Sequence, residues 1–198
     1  MELFWCPKTR ASRAVWILEE AGCTYTKTLI DIRDEDAKAH RGFLAASPMG
    51  KVPALADGDA VLADSSAICL YVADRYASGT LAPAINAPER AQFLFWMLYA
   101  GSVMEPCMAE GFGTAQANRS AHGWGDFASM VETLEARLAS RPWIMGEDFC
   151  AADVMIGSTA GFMKMFGILP ESHVIESYLK RCSERPAYQR SQDEPELP

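Results

Sequence analysis

Residues 47–55 read Ser47-Pro-Met-Gly-Lys-Val-Pro-Ala-Leu55, and the triplet Asp64-Ser65-Ser66 follows nine residues later. Val52-Pro53 is an X-Pro bond directly before a short apolar strand, and such bonds tolerate the cis form because the trans preference is only ~0.5–1 kcal/mol. A cis bond here would turn the Val52 N–H and C=O away from the sheet, where they could pair with the main chain of a peptide-like ligand. Without such a ligand, the same residues would form an ordinary loop and strand.

The triplet Asp64-Ser65-Ser66 stands where a second strand, residues 60–63, gives way to a helix. The first N–H groups of a helix have no partner within the helix and carry partial positive charge, so they bind carboxylates. A polar cap on the helix is the ordinary interpretation of this triplet. The two motifs in this order and at this spacing are far more specific for a ligand site than either motif is by itself.

The composition excludes several classes of protein. The 198 residues carry 26 acidic and 18 basic side chains, and this net charge of −8 argues against nucleic-acid binding. No apolar run approaches the ~20 residues that span a bilayer, and the N-terminus lacks a signal-peptide pattern, so we expect a cytoplasmic protein with no membrane partner. The six scattered cysteines predict free thiols, and the three distant histidines predict no metal site.

Two patterns divide the chain. Up to about residue 78, strand and helix signals alternate in the order βαβ-α-ββα, which predicts a mixed sheet covered by helices. The strands and helices expected in this part span residues 3–5, 9–21, 25–32, 34–46, 53–57, 60–63 and 65–76. Residues 79–88 form a linker that is rich in Pro, Ala and Gly.

After the linker, the patterns are helical only. We therefore predict a first domain over residues 1–78 and an all-helical domain over residues 89–198. Residues 151–165 are almost entirely apolar and are expected to form a buried central helix. The other helices are expected from Pro88 through Met104 and over residues 127–140, 176–184 and 186–190.

This layout and five motifs resemble the cytosolic glutathione transferases. Residues 47–55 resemble the family's segment before its cis-proline strand, and residues 63–68 resemble the element that holds the γ-glutamyl end of glutathione. The other matching segments are residues 12–22, 146–157 and 185–189. The resemblance covers nearly the whole chain and implies an α/β thioredoxin-like N-terminal domain with a mixed four-stranded sheet, followed by an all-α C-terminal domain.

The resemblance also implies a set of glutathione-binding residues. The backbone of Val52, before Pro53, would pair with the cysteinyl main chain, and Lys51 would face the glycyl carboxylate. Asp64 and Ser65 would hold the γ-glutamyl ammonium and carboxylate, respectively. A cation, an anion and a helix N-terminus match the two carboxylates and one ammonium of glutathione. Without the motif, Lys51 would be an ordinary solvated loop lysine.

The chain departs from the family at Cys150, three residues before Asp153, where the family usually carries Ser or Thr. Ser or Thr would complete a capping box at the start of the buried helix, whereas a thiol is a weak acceptor. Asp153 can still accept from the backbone N–H of Cys150. We expect Cys150 to lower local stability by roughly 1 kcal/mol.

Two residues compete for the role of activating the glutathione thiol, which reacts as a thiolate. Thr9 lies four residues before Arg13, where theta-like and many bacterial members place a hydroxyl, and this predicts conjugation to an electrophile. Cys6 precedes Pro7, where omega-like members place a reactive cysteine, and this predicts thiol–disulfide exchange. In the ordinary interpretation, Thr9 caps the first helix and Cys6 is a small buried residue.

The leading hypothesis is a glutathione S-transferase that conjugates glutathione, its co-substrate, to small apolar electrophiles in detoxification and needs no metal. The resemblance implies a homodimer. The alternatives are a glutathione-dependent thiol–disulfide oxidoreductase that uses Cys6 and a non-catalytic glutathione-binding protein. The helical domain is expected to contribute an apolar electrophile pocket, and the candidate lining residues are Trp5, Tyr99, Met104, Met108, Phe112, Phe162 and Phe166.

Overall fold

A computed structural model describes residues 1–192 of the chain. These residues form two compact units, of which the first joins residues 1–78 to the segment from Arg185 and the second spans Gly79–Glu184. The first unit is built on a sheet and the second is helical, so the predicted combination of a thioredoxin-like α/β fold and an all-α fold is confirmed. The last six residues of the predicted helical domain, 193–198, lie outside the described residues. Among residues 1–192, every helix is too short or too polar to cross a membrane.

The sheet of the first unit has four strands, β1 (Glu2–Trp5), β2 (Thr26–Leu29), β3 (Ala54–Asp57) and β4 (Ala60–Ala63). Their order in the sheet is β2-β1-β3-β4. Strand β1 pairs parallel with β2 and antiparallel with β3, and β3 and β4 form an antiparallel hairpin. Gly58 turns this hairpin with a φ of 60°, a left-handed conformation that glycine adopts without a steric cost.

Helices occur both before and after the linker in the sequence. Those of the first unit begin with α1 (Ala11–Glu20), α2 (Glu35–Lys38), α3 (Arg41–Ala46) and α4 (Ser65–Tyr76). The second unit contains α5 (Arg90–Tyr99), α6 (Glu105–Gly111), α7 (Phe127–Leu138), α8 (Ala151–Met165) and α9 (His173–Ser183). The last described helix, α10 (Pro186–Gln192), belongs to the first unit.

The polar stretch predicted as one helix over residues 34–46 forms two short helices instead. Helix α2 begins after Asp34, whose side chain accepts from the Asp36 N–H at 2.9 Å. Helix α3 begins after His40, whose Nδ1 accepts from the Phe43 N–H at 3.2 Å. Each cap satisfies N–H groups that a new helix leaves without partners, so the chain can restart its helix at His40.

The long helix predicted from Pro88 to Met104 is interrupted by a π-helical turn at Ala100–Met104, between α5 and α6. Pro106 lies in the first turn of α6. Proline has no N–H to donate, and its ring would collide with the carbonyl four residues earlier in a regular α-helix. We attribute the wider turn to this proline.

Helix α10 packs on α1 in the first unit, whereas the sequence patterns predict that it belongs to the helical domain. Trp16 of α1 and Tyr188 of α10 meet edge to face, with ring centroids 4.8 Å apart. Arg185 forms a two-point ion pair with Glu20, with Nε–Oε1 at 2.6 Å and Nη2–Oε2 at 2.7 Å. Residues 185–192 therefore complete the first unit.

Helix α8 is buried, as predicted, and its first turn is anchored by Asp153. The Asp153 carboxylate accepts from the backbone N–H of Cys150 at 3.0 Å, which confirms the expected backward reach. It also accepts from the Ile144 N–H at 2.8 Å and from the Tyr178 hydroxyl at 3.0 Å. Asp153 thus connects the start of α8 to the preceding loop and to α9.

We expect Cys150→Ser to raise the free energy of unfolding by about 0.5–1 kcal/mol, because a hydroxyl is a stronger acceptor than a thiol for the N–H groups of the first turn. The change is measured by urea denaturation. Cys182→Ser is the matched control, since Cys182 is buried within α9 and caps no helix. Its hydroxyl should give no gain in stability. A Cys150→Ser protein less stable than the wild type would contradict this account of the cap.

Candidate functional site

The register of the sheet brings the sequence-predicted site residues to one edge. Ala54 at the start of β3 lies opposite Phe4 of β1 and opposite Ala63 of β4. The segments that follow β1 and β4 and the segment that precedes β3 therefore lie side by side. These three segments carry Cys6, Val52-Pro53 and Asp64, which are far apart in the sequence.

The Val52–Pro53 peptide bond is cis, as predicted. Buried Ser47 holds the loop before it, because the Ser47 Oγ accepts from the Lys51 N–H at 2.9 Å and donates to the Lys51 C=O at 2.8 Å. The first serine of the motif therefore has a structural part in the loop. The Lys51 side chain is left exposed beside the cis bond.

A cavity of about 360 Å³ lies next to the cis bond, within the first unit. A second cavity of about 480 Å³ adjoins it and shares Lys38, Gly50 and Lys51 with it. The first cavity is lined by Lys8, Thr9, Arg10, Ile32, Lys38, Gly50, Lys51 and Val52.

Sequence reasoning identified Thr9, Lys51 and Val52 and missed Lys8, Arg10 and Lys38. Lys8 and Arg10 could have been predicted as lining residues, because they are the sequence neighbours of Thr9. Nothing local marks Lys38, which reaches the cavity through the tertiary fold.

Asp64 and Ser65 stand at the N-terminus of α4. Asp64 has a φ of 76°, and its Oδ1 accepts from the N–H of Ser66 at 2.8 Å and of Ala67 at 3.2 Å. The Ser65 Oγ accepts from the Nη1 of buried Arg13 at 3.1 Å. Because Arg13 can only donate, this bond occupies a lone pair of the serine and keeps the hydroxyl proton for an acceptor elsewhere. In the sequence, Arg13 marks the position of Thr9 four residues before it, but the sequence does not predict Arg13 as a site residue.

Lys8 and Asp64 share an unusual backbone conformation. Their φ values of 57° and 76° make them the non-glycine residues with positive φ in the part of the chain that the structure describes. Such conformations are uncommon for residues with a side chain and concentrate at functional sites. Lys8 follows β1 and Asp64 follows β4, so both belong to the same edge of the sheet.

Thr9 lines the cavity, whereas Cys6 does not. The Thr9 hydroxyl donates to the Cys6 C=O at 2.7 Å and accepts from the Ala11 N–H at 3.1 Å, so it satisfies the first turn of α1 in the manner of a cap. The Cys6 side chain is buried, with 1% exposure for the residue. A disulfide substrate would reach Cys6 only after this part of the unit had opened.

The cysteines lie within the described residues and are free thiols, as predicted. Burial raises the pKa of Cys69 to about 12 and that of Cys107 to about 11. Burial, with a contribution from neighbouring Asp153, also raises the pKa of Cys150. These three side chains stay protonated near neutral pH and are poor nucleophiles. Within residues 1–192, no three His, Cys, Asp or Glu side chains gather as metal ligands would.

The structure corrects part of the expected electrophile pocket. Trp5, Tyr99 and Met104 are buried and belong to the cores of their units. These assignments were wrong because aromatic and Met residues at helical spacing are equally typical of a core. Phe112 and Phe166 are 48% and 52% exposed and meet edge to face, with ring centroids 5.6 Å apart. The remaining two candidates are partly buried, Met108 and Phe162.

The sequence of this chain is similar to a family model and to several known proteins. Residues 5–75 match the family model described as the glutathione S-transferase N-terminal domain. Glutathione S-transferase 3 of Zea mays is 27% identical over 201 residues, which cover 90% of this chain and 86% of that protein. The disulfide-bond oxidoreductase YfcG of Escherichia coli (strain K12) is 27% identical over 167 residues, with coverage of 78% and 76%.

A solved structure shows the same likeness over the whole chain. A sphingomonad glutathione S-transferase complexed with glutathione matches at a TM-score of 0.79 and 28% identity, with 97% of both chains covered. Together with the family model and the curated relatives, this places the chain in the class of thioredoxin-like proteins with an additional helical unit. Residues 5–75 carry the glutathione S-transferase N-terminal domain, and the chain is similar to glutathione S-transferases over most of its length.

Proposed function

We propose that this protein is a glutathione S-transferase that joins the glutathione thiolate to small apolar electrophiles. The observation that carries the proposal is the cis Val52–Pro53 bond, which shares one sheet edge with the start of α4 and lies beside a basic cavity. Glutathione is the co-substrate, and the reaction requires no metal. The exposed pair Phe112 and Phe166 supports an apolar second substrate, because exposed aromatic side chains in contact offer an apolar binding surface.

Each part of glutathione has a counterpart in the proposed site. The main chain of Val52 pairs with the cysteinyl main chain, and Lys51 attracts the glycyl carboxylate. The Ser65 hydroxyl and the N-terminus of α4 bind the γ-glutamyl carboxylate. Asp64 binds the γ-glutamyl ammonium. Arg13 positions the Ser65 hydroxyl through their 3.1 Å hydrogen bond.

The reaction begins when the glutathione thiol loses its proton to solvent. The thiolate sulfur then attacks an electrophilic carbon, a sulfur–carbon bond forms, and a leaving group such as chloride departs with its electron pair. Lowering the pKa of a thiol by about 2 requires ~2.7 kcal/mol. One hydrogen bond to a charged group contributes ~1.5–3 kcal/mol. Thr9 can supply it by turning its hydroxyl from the Cys6 carbonyl toward the sulfur.

We expect Thr9→Val to lower kcat/KM for conjugation of glutathione to 1-chloro-2,4-dinitrobenzene about 10- to 100-fold. The pKa of the bound thiol should rise by about 1–2, which a pH titration of thiolate absorbance measures. Ser12→Ala is the control, because the Ser12 hydroxyl supports the same turn by donating to the Thr9 C=O at 3.1 Å. Its activity should stay within about threefold of wild type. An unchanged thiol pKa in Thr9→Val would assign the activation to another group.

A glutathione-dependent thiol–disulfide oxidoreductase that uses Cys6 is the second candidate, and the similarity to YfcG favours it. The burial of Cys6 opposes it. In our proposal, Cys6→Ala keeps conjugation activity. The oxidoreductase would be established instead by two results together. The wild type would reduce a glutathione mixed disulfide and Cys6→Ala would not, and neither protein would conjugate glutathione to an electrophile. Binding to immobilised glutathione without either activity would favour a non-catalytic protein.

We further propose a cytoplasmic homodimer. Free cysteines suit a reducing compartment. Helix α5 exposes an apolar stripe at helical spacing, consisting of Leu94, Phe95 and Leu98. A second copy of the chain would cover such a stripe, since exposed apolar patches on soluble proteins commonly mark interfaces.

A further inference from the structure

The second cavity, of about 480 Å³, adjoins the proposed glutathione site and has no part in it so far. It shares Lys38, Gly50 and Lys51 with the cavity beside Thr9 and Val52, and both cavities lie within the first unit. Gly50 has a φ of 60°, and a Cβ built there would meet no atom of residues 1–192 within 4 Å apart from its chain neighbours. The border between the two cavities is therefore open at Gly50.

The lining residues show where the second cavity lies along a bound peptide. Val52, proposed to pair with the cysteinyl main chain, lines only the first cavity, whereas Lys51, proposed for the glycyl carboxylate, lines both. A glutathione molecule that runs from Val52 to Lys51 therefore directs its glycyl end toward the second cavity. One more residue at that end advances the chain by about 3.3–3.6 Å and enters the second cavity.

The second cavity has a largely apolar wall. Leu44 and Met49 are 41% and 81% exposed, so much of their apolar surface is open to a ligand. The charge of Glu35 is matched by Lys38, with which it forms an ion pair. Apolar surface of this kind favours an apolar side chain, because burial removes both surfaces from water. The residues that line this cavity and not the first are Glu35, Ala39, Leu44, Pro48 and Met49.

We propose that the protein binds glutathione-type peptides that are extended by an apolar residue at the glycyl end, and that the second cavity receives this residue. The inference rests on the proposed transferase function and names a class of thiol substrate for it. The extended peptide still ends in a carboxylate, and Lys51 borders both cavities, so the displaced carboxylate keeps a cation beside it. Burying about half of a phenylalanine side chain strengthens binding roughly five- to tenfold.

Three S-methylated peptides test the proposal, namely S-methylglutathione and its extensions by phenylalanine and by serine at the glycyl end. Each is titrated into the wild-type protein in a calorimeter. The phenylalanine extension should bind about five- to tenfold more tightly than the serine extension. The serine extension should bind within about fivefold of S-methylglutathione, because shifting an exposed ion pair changes an affinity by no more than that.

Two results of these titrations would overturn the proposal. If both extended peptides bind more than about fivefold more weakly than S-methylglutathione, the site is closed behind Lys51. If the two extended peptides bind equally well, the second cavity makes no apolar contact with the added residue.

Filling the second cavity shows whether it holds the added residue. Ala39 is exposed and lines the second cavity but not the first. Ala39→Trp should weaken binding of both extended peptides at least about tenfold and leave S-methylglutathione within about twofold of wild type. Ala45→Trp is the matched control, because Ala45 is an exposed alanine of the same unit outside both cavities. An Ala39→Trp protein that binds the extended peptides as the wild type does would overturn the proposal.

A second variant removes apolar surface and fills no space. Met49→Ser should lower the preference for the phenylalanine extension over the serine extension to below about threefold. Met165→Ser is its control, because Met165 is 66% exposed on α8 and lines neither cavity, so this variant should keep the full preference. A Met49→Ser protein that becomes monomeric while binding all three peptides as the wild type does would assign this wall to a second copy of the chain and overturn the proposal.

Turnover separates this inference from the function on which it rests. A wild-type protein that conjugates glutathione to 1-chloro-2,4-dinitrobenzene but does not bind the extended peptides keeps the transferase function and overturns the extended-peptide inference. A protein that prefers the phenylalanine extension but conjugates nothing contradicts the proposed reaction and supports the role of the second cavity.

Discussion

Asp153→Ala is expected to lower the free energy of unfolding by about 3–9 kcal/mol. The substitution leaves the N–H groups of Ile144 and Cys150 and the hydroxyl of Tyr178 without their acceptor in a fully buried position. Each unsatisfied buried group costs about 1–3 kcal/mol, so the loss approaches the whole stability of a typical domain, about 5–15 kcal/mol. Urea denaturation followed by circular dichroism measures the change.

Two further substitutions keep this expectation testable if Asp153→Ala fails to fold. Asp153→Asn retains one carbonyl oxygen for Ile144 and Tyr178 but faces Cys150 with a donor, so its loss should be smaller, about 1–3 kcal/mol. Asp148→Ala removes an exposed acid from the same loop and should change stability by less than about 0.5 kcal/mol. Equal stability of Asp153→Ala and Asp148→Ala would contradict the anchoring role of Asp153.

Ser65→Ala is expected to raise the Kd for glutathione about 10- to 100-fold, because a hydrogen bond to a charged group contributes about 1.5–3 kcal/mol. The substitution removes the donor proposed for the γ-glutamyl carboxylate and the acceptor of the Arg13 guanidinium. Calorimetric titration with glutathione measures the effect. Thermal unfolding of the same protein shows whether the fold is retained.

The neighbouring Ser66→Ala is the matched control for this prediction. Ser66 lies in the same first turn of α4, and its backbone N–H, which the substitution leaves in place, donates to Asp64 at 2.8 Å. Its Kd for glutathione should stay within about threefold of wild type. A Ser65→Ala protein that binds glutathione like the wild type would place the γ-glutamyl carboxylate elsewhere.

Features with a local cause were predictable from the sequence. The cis bond at Val52–Pro53 depends on a proline, and the hairpin at Gly58 depends on a glycine that adopts positive φ. The buried helix over residues 151–165 follows from a stretch that is almost entirely apolar, and its observed bounds are the same. In each case the residue type restricts its own backbone or its own burial, so no distant contact is needed.

Features that depend on distant contacts were not predictable. The pattern of Trp5, Tyr99 and Met104 suits a pocket and a core equally, and only packing decided that they are buried. The pattern of α10 shows a helix but not its partner, which the ion pair between Arg185 and Glu20 reveals.

The sequence by itself determined the class of fold, the cis turn and the helix start that suit a peptide-like ligand, because these arise from local backbone preferences. Only the tertiary structure decided that Cys6 is buried while Thr9 borders a cavity. It also decided that Lys38 joins Lys8 and Arg10 at that cavity. The physical reason is that burial and charge clustering are set by which chain segments the sheet brings together, and the register at Ala54 brings together segments about 50 residues apart.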